Sequence, residues 1–246
     1  MKFKQNTVVF ATLFCLYACS SSLAQSWDNE VGDADWFSQT NWDADLLPDG
    51  TQDVIVDTTG ETVLVTDQDP DATAQAKDLT LGSTAGANGE LTITSSGLAQ
   101  TTGDIILALG ADSTATLIVT GSGSTLTAGG SFAIGAYGSG MLRVENGGMV
   151  SANGDSYIGY TGDAVGEVTI SGAGSTWNNA SGQIGVGYAG TGTLTVEDGG
   201  MVTSLFASVG STLGGVGTAR VTGENSQWQN TKTFLVGNAC FLMVLL

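Results

Sequence analysis

The segment "GTGTLTVEDGGMV" runs from Gly190 to Val202, and "GSGMLRVENGGMV" runs from Gly138 to Val150, 52 residues earlier. Between the copies, "GEVTISGAGSTW" (Gly166 to Trp177) writes the same opening strand with a different ending. The short strand recurs as "LTI" at Leu91, "LIV" at Leu117, "LRV" at Leu142, "VTI" at Val168, "LTV" at Leu194 and "ARV" at Ala219. The steps are 26, 25, 26, 26 and 25 residues. A second anchor, an aliphatic residue before Gly, recurs at Leu109, Ile134, Ile158, Ile184, Val209 and Val236. A third alternates: "GSTL", "GSTW" and "NSQW" end at Leu126, Trp177 and Trp228, and "GGMV" ends at Val150 and Val202. The unit is therefore about 25 residues long in two alternating spellings, and the alternation produces the longer echo.

A fixed period of this size marks a stacked-repeat architecture. Each unit holds three short strands separated by Gly, Asn, Asp and Ser. One strand set cannot bury its own apolar face, but stacking places the Leu of one rung on the Leu of the next. In "LTV", Leu194 and Val196 point inward and Thr195 outward. The turns "ENGG" and "EDGG" put Asn146-Gly147 and Asp198-Gly199 where positive φ costs little. These features predict an all-β, right-handed parallel β-helix (solenoid) with about 25 residues and three short strands per rung. A β-propeller would need nearly twice the period and antiparallel strands.

Composition agrees. The chain has 37 Gly and 2 Pro in 246 residues, with no extended 3.6-residue apolar period. Its 6 basic residues face 24 acidic ones and it has no His. That balance offers no footprint for nucleic acid and disfavours anionic membranes.

"GxGTLTVxxGGxV" followed by "xIGxxGxGxxxVxGxGSTW" resembles the repeats of bacterial type V secretion (autotransporter) passengers. The same repeats occur in exported proteins with a PEP-CTERM sorting tail. The resemblance covers Gly89 to Gly237. It implies an extracellular or outer-surface β-helix, a repeat type generally not assigned catalysis. The N-terminal pattern W…DW…NW…LP…DVIV resembles the segment that often opens such exported repeat proteins.

Four regions are expected. Residues 1–24 read as a signal peptide: Lys2 and Lys4, an apolar run from Val8 to Ala18, then Ser22 and Ala24 before a cleavage site at Gln25. Cleavage leaves 4 basic residues and a formal charge of −20. The alternative is a lipoprotein box, "LYAC", with Cys19 acylated. Residues 25–80 read as an acidic, Trp-rich capping region with the first strands; 14 Asp and Glu lie between Asp28 and Asp78. Residues 81–237 are the repeats. Residues 238–246, "NACFLMVLL", lose the pattern and read as a truncated or frameshifted end, with a C-terminal translocator or sorting part missing. The tail is too short to span a bilayer. After cleavage Cys240 is the one remaining cysteine, so disulfides cannot hold the rod together.

Chemistry-bearing residues are few. Trp27, Trp36 and Trp42 either cap the first rung or form a glycan-contacting patch. Asp67, Asp69, Asp71 and Asp78 have the spacing of a calcium loop, but Ala72 stands where that loop needs Gly, Pro70 interrupts it, and Asp rather than Glu closes it. Calcium is the one cofactor this allows; otherwise none is expected. Arg143 and Arg220 lie outward in their strands and are expected to pair with Glu145 or Glu224. Trp177 and Trp228 either stack in the core or form an exposed ladder. Without His there is no Ser-His-Asp chemistry, and no phosphate loop occurs. The expected function is an exported, surface-associated repeat protein with a structural or adhesin-like role, no catalytic residue, and cell-surface or glycan ligands as partners. The alternative is a carbohydrate-binding or polysaccharide-degrading β-helix, a lyase or glycoside hydrolase.

Overall fold

The computed structural model describes residues 24–58, 60–67 and 72–237. The signal peptide up to Leu23, Cys19, Asp69, Asp71 and the tail from Asn238 lie outside the described residues. The described chain is a parallel β-solenoid of about eight turns, each about 26 residues. Rungs stacked about 4.8 Å apart make a rod of roughly 40 Å.

Three faces wrap one core. The first carries β3 (Val63–Val65), β6 (Asn88–Ile93), β9 (Thr114–Thr120), β12 (Ser139–Glu145), β15 (Val165–Ser171), β17 (Thr191–Glu197) and β19 (Val216–Val221). The second carries β4 (Ala74–Ala76), β7 (Leu98–Thr101), β10 (Thr125–Ala128), β13 (Met149–Ala152) and β20 (Gln227–Asn230). The third carries β1 (Gln25–Ser26), β2 (Val54–Val56), β5 (Leu79–Leu81), β8 (Ile105–Leu107), β11 (Phe132–Ile134), β14 (Ser156–Ile158) and β21 (Phe234–Val236). Two long strands, β16 (Thr176–Val186) and β18 (Met201–Val209), run through the corner and join the second and third faces into one sheet.

The Leu ladder read from the repeat is real. Leu91, Leu117, Leu142, Val168, Leu194 and Ala219 are successive Cα partners in parallel pairs. The first five are essentially sealed from solvent. Period-two alternation supplies the burial: each strand sends every second side chain inward.

The second anchor needs correction at two rungs. The third-face ladder runs Leu81, Leu107, Ile134, Ile158, Val186, Val209 and Val236. Leu107 and Val186 hold the places assigned by sequence to Leu109 and Ile184. A slip of two residues keeps the same strand face, so hydropathy cannot detect it. The backbone can: the residue after each ladder position has φ between 58° and 70°. Six of the seven are Gly; the exception is Ala108, wholly buried at φ 58°.

The corner between the first and second faces explains the alternating spelling. One spelling makes a tight left-handed turn at Ser95-Ser96, Asn146-Gly147 and Asp198-Gly199. The other ends in a buried serine, Ser124 or Ser175, or in its counterpart Ser226. Each serine hydroxyl accepts a backbone N–H from the tight turn one rung earlier: Ser96 to Ser124 at 3.2 Å, Gly147 to Ser175 at 3.0 Å, and Gly199 to Ser226 at 3.0 Å. In the other direction, the N–H groups of Gly121 and Gly172 donate to the carbonyls of Glu145 and Glu197 in the next rung. Unlike turns therefore satisfy each other's backbone groups.

Tryptophans fill the N-terminal mouth. Residues 34–36 pair with Leu64 at the first-face edge, and β1 pairs with β2 at the third. Between these edges Trp42 meets Trp27 and Trp36 edge-on, with ring centroids 5.1 and 4.7 Å away. The Trp42 indole N–H donates to the Trp36 carbonyl at 2.9 Å. Trp177 is fully buried and meets Phe132 edge-on. Trp228 packs against the core and is half-buried in the last described rung.

Candidate functional site

Of the described residues that the sequence singled out, the three tryptophans and Asp78 serve the fold. Trp27, Trp36 and Trp42 are 7%, 3% and 0% exposed, which corrects the glycan-patch reading. Their rings pack on one another because the first rung would otherwise expose its apolar interior. Asp78 is engaged: its Oδ1 accepts the Asp104 N–H at 2.7 Å, and its Oδ2 lies 3.3 Å from Lys77 Nζ. The pattern repeats up the same corner, where Asp104 holds the Ser131 N–H and Asp155 holds the Gln183 N–H. Asp67, the other described member of the calcium reading, is exposed. Among the described residues, no three His, Cys, Asp or Glu side chains converge as a metal site.

The cations are also placed. Lys77 reaches Asp53 at 2.8 Å, and Arg143 reaches Glu145 at 2.9 Å within one strand. Arg220 faces Glu197 of the rung below at 3.9 Å, not Glu224. These pairs are solvent-exposed and contribute little stability. The lowered carboxyl pKa values fall in the cap loops. Asp33 is held down first by the Ser38 hydroxyl, then by the Asp35 backbone and Asn41 amide; Asp49 is held down by Thr51. Both carboxylates order turns.

A different feature stands out on the surface. Tyr157 lies mid-strand in β14, pointing outward between inward-facing Ser156 and Ile158. Its ladder neighbour in the next rung is Gly185. With no side chain at 185, the rings of Tyr157 and Tyr188 close over that backbone; a Cβ there would touch both at 3.4 Å. Tyr160 and Tyr188 each follow the positive-φ glycine of their corner, Gly159 and Gly187, one rung apart. The corner thus presents an aromatic ring at the same place twice. Their rings stack at 16°, with centroids 5.5 Å apart. Tyr157 lies 5.1 Å from Tyr160 and 4.7 Å from Tyr188. Tyr137, one rung earlier and one residue further round the corner, is 54% exposed.

The rim of this cluster is polar. The Tyr157 hydroxyl donates to Asp155 Oδ2 at 3.2 Å. Burial first, and the Asp155 charge second, push the phenol up from the ordinary 10.0 to about 12. Gln183, whose N–H is held by Asp155, lies against the same surface. The cluster presents flat aromatic faces bordered by one carboxylate and one amide. Periodicity did not reveal it, because corner residues carry no regular hydropathy. The signal available was Tyr after Gly at 160 and again at 188.

A groove of about 500 Å³ lies on the second face of the last rungs, lined by Thr176, Asn178, Met201, Thr203 and Gln229 among others. Ala180, in the stretch where β16 carries extra residues relative to β18, also lines it.

The described residues thus form a parallel β-solenoid with an aromatic cluster on its surface. The chain is 36% identical over 131 residues to the adhesin BmaC autotransporter of Brucella suis biovar 1 (strain 1330), covering 50% of this chain and 4% of that protein. It is 39% identical over 103 residues to the uncharacterized lipoprotein YdeK of Escherichia coli (strain K12), covering 39% of this chain and 8% of that protein. The chain thus spans less than a tenth of the length of the curated relatives it matches. No family model and no solved structure matches. No helix among the described residues is long and apolar enough to cross a membrane.

Proposed function

We propose that this chain forms a rigid stretch of an exported, surface-displayed protein, acting as an adhesin-type spacer and contact surface without catalysis. The relation to an autotransporter adhesin over half the chain carries this reading. The solenoid supports it, since stacked rungs build length and a long side wall from few sequence rules. The buried tryptophans and the aspartate ladder are engaged in holding the rod together, and three of the cations are paired with surface carboxylates. The export leader proposed at 1–24, or acylation at Cys19, would place the rod outside the cell.

The test is adhesion. Beads coated with the chain are applied to cell and matrix surfaces beside beads coated with an unrelated acidic protein. The expected outcome is chain-dependent retention. No retention on any surface would remove the adhesin reading. Release of reducing ends or unsaturated products from a polysaccharide would replace it with the degrading alternative. The exposed tyrosines favour one second reading, a carbohydrate binder, over a degrading enzyme.

A further inference from the structure

The geometry points to the Tyr157–Tyr160–Tyr188 cluster as a binding site for a neutral, extended oligosaccharide. This deepens the adhesin reading by naming the ligand class of its contact surface. Three observations converge. First, the three rings touch one another at 4.7–5.5 Å, so they enclose no gap that could cage a cation. What they offer outward is ring surface, whose negative face attracts the weakly positive C–H face of a pyranose. Tyr160 is 38% exposed, although large apolar rings at corners add nothing to the core.

Second, the border supplies the hydroxyl partners a sugar needs. Asp155 holds the Tyr157 hydroxyl and the Gln183 N–H, one on each carboxylate oxygen, and each oxygen keeps a second lone pair. The Gln183 amide adds a donor and an acceptor beside the rings. A few placed polar groups around an apolar platform are the ordinary makeup of a ligand site. Third, charge selects within the sugars. Lys77, Arg143 and Arg220 are paired to carboxylates elsewhere, and Lys232 sits at the second-to-third corner of the last rung. With Asp155 at the rim, a uronate, sialylated or sulfated chain would meet only repulsion.

Length follows from the rungs. Tyr137, Tyr160 and Tyr188 occupy three successive rungs, about 4.8 Å apart along the axis. A ligand lying along the rod meets one tyrosine per rung. Tyr157 has a second task, covering Gly185, and the three rings are in contact without a ligand.

The test titrates the whole chain by calorimetry with cellohexaose, laminarihexaose and chitohexaose, beside hexagalacturonate and a chitosan hexamer. At least one neutral hexasaccharide should bind, more tightly than its disaccharide. The double variant Tyr160→Ala, Tyr188→Ala should bind about tenfold more weakly. The single Tyr160→Ala change, at an exposed corner, should weaken binding while leaving the unfolding midpoint in place; it serves if the double variant fails to fold. Absence of neutral-sugar binding, undiminished binding by folded variants, or binding of the chitosan hexamer alone would overturn the assignment. Bead adhesion separates the two claims. Retention that no hexasaccharide inhibits would leave the adhesin reading and remove this site. Sugar binding without bead retention would do the reverse.

Discussion

Ser175 accepts the Gly147 N–H at 3.0 Å across a rung boundary, and donates its own O–H to the Ser171 carbonyl at 2.7 Å. One buried hydroxyl thus satisfies two backbone groups that belong to different spellings of the repeat. Ser175→Ala removes a fully buried hydroxyl and leaves both half-buried backbone groups without it. The expected loss is about 1–3 kcal/mol, read as a lower urea midpoint with unchanged slope. An unchanged midpoint would show that the hydroxyl is dispensable.

Among the described residues that directly follow a third-face ladder position, Ala108 is the one that adopts positive φ with a side chain. A left-handed Cβ costs about 1–2 kcal/mol, and glycine returns part of that as unfolded-chain entropy. Ala108→Gly should therefore stabilise the rod by about 0.5–1 kcal/mol. The mirror experiment, Gly159→Ala, should be severely destabilising, since its Cβ would lie 2.2 Å from the Thr191 carbonyl oxygen. Thermal melts of both variants check the pair.

Trp228 donates its indole N–H to Ser204 Oγ at 3.1 Å, whereas the buried Trp177 N–H has no partner. The difference lies one rung down. Val202 and Val150 pair with the two tryptophans, and two residues later stand Ser204 and Ala152. Ala152→Ser should give Trp177 the missing acceptor and raise stability by about 1 kcal/mol. A lowered melting temperature would mean that the hydroxyl cannot reach it.

Tyr157 sets an alkaline limit. Its folded pKa of about 12 lies above the ordinary value of 10.0. Below pH 10 both folded and unfolded chains keep the proton, and the group adds no pH dependence. Between 10 and about 12 the unfolded chain releases it while the folded chain retains it, so stability falls as pH rises. In Tyr157→Phe that contribution should vanish. Urea midpoints from pH 9 to 12, compared between the two proteins, measure it.

Rung order should matter more than rung number. Deleting 138–189, which is 52 residues, keeps unlike turns adjacent. Deleting 138–163, which is 26 residues, stacks the Gly172–Ser175 turn on the Gly121–Ser124 turn. The first chain should melt in one cooperative step. The second should break into two, because a weak junction uncouples the segments on either side. One shared transition for both would refute the alternation rule.

The first-face ladder was legible because Leu117, Leu142, Val168 and Leu194 repeat at nearly constant steps in a strand context. Register on the third face was legible only to within two residues: a continued strand would put Leu107 and Leu109 on one side, but the positive φ at Ala108 ends the strand and turns Leu109 out to solvent. The roles of Trp27, Trp36 and Trp42 were undecided, because a row of indoles says nothing about which way the rings turn. Their burial follows from the need to close the first rung. Tyr157, Tyr160 and Tyr188 escaped notice because three rings from two rungs meet only once the chain has coiled.

The reciprocal bonding of unlike turns also constrains ancestry. A duplication or loss that respects it must move both spellings together, so reach would grow by steps of roughly 10 Å rather than 5 Å. Unequal exchange between gene copies would then be filtered for 51- or 52-codon increments. Serine hydroxyls at one corner would thereby set the smallest change in stature that descendants of this protein can inherit.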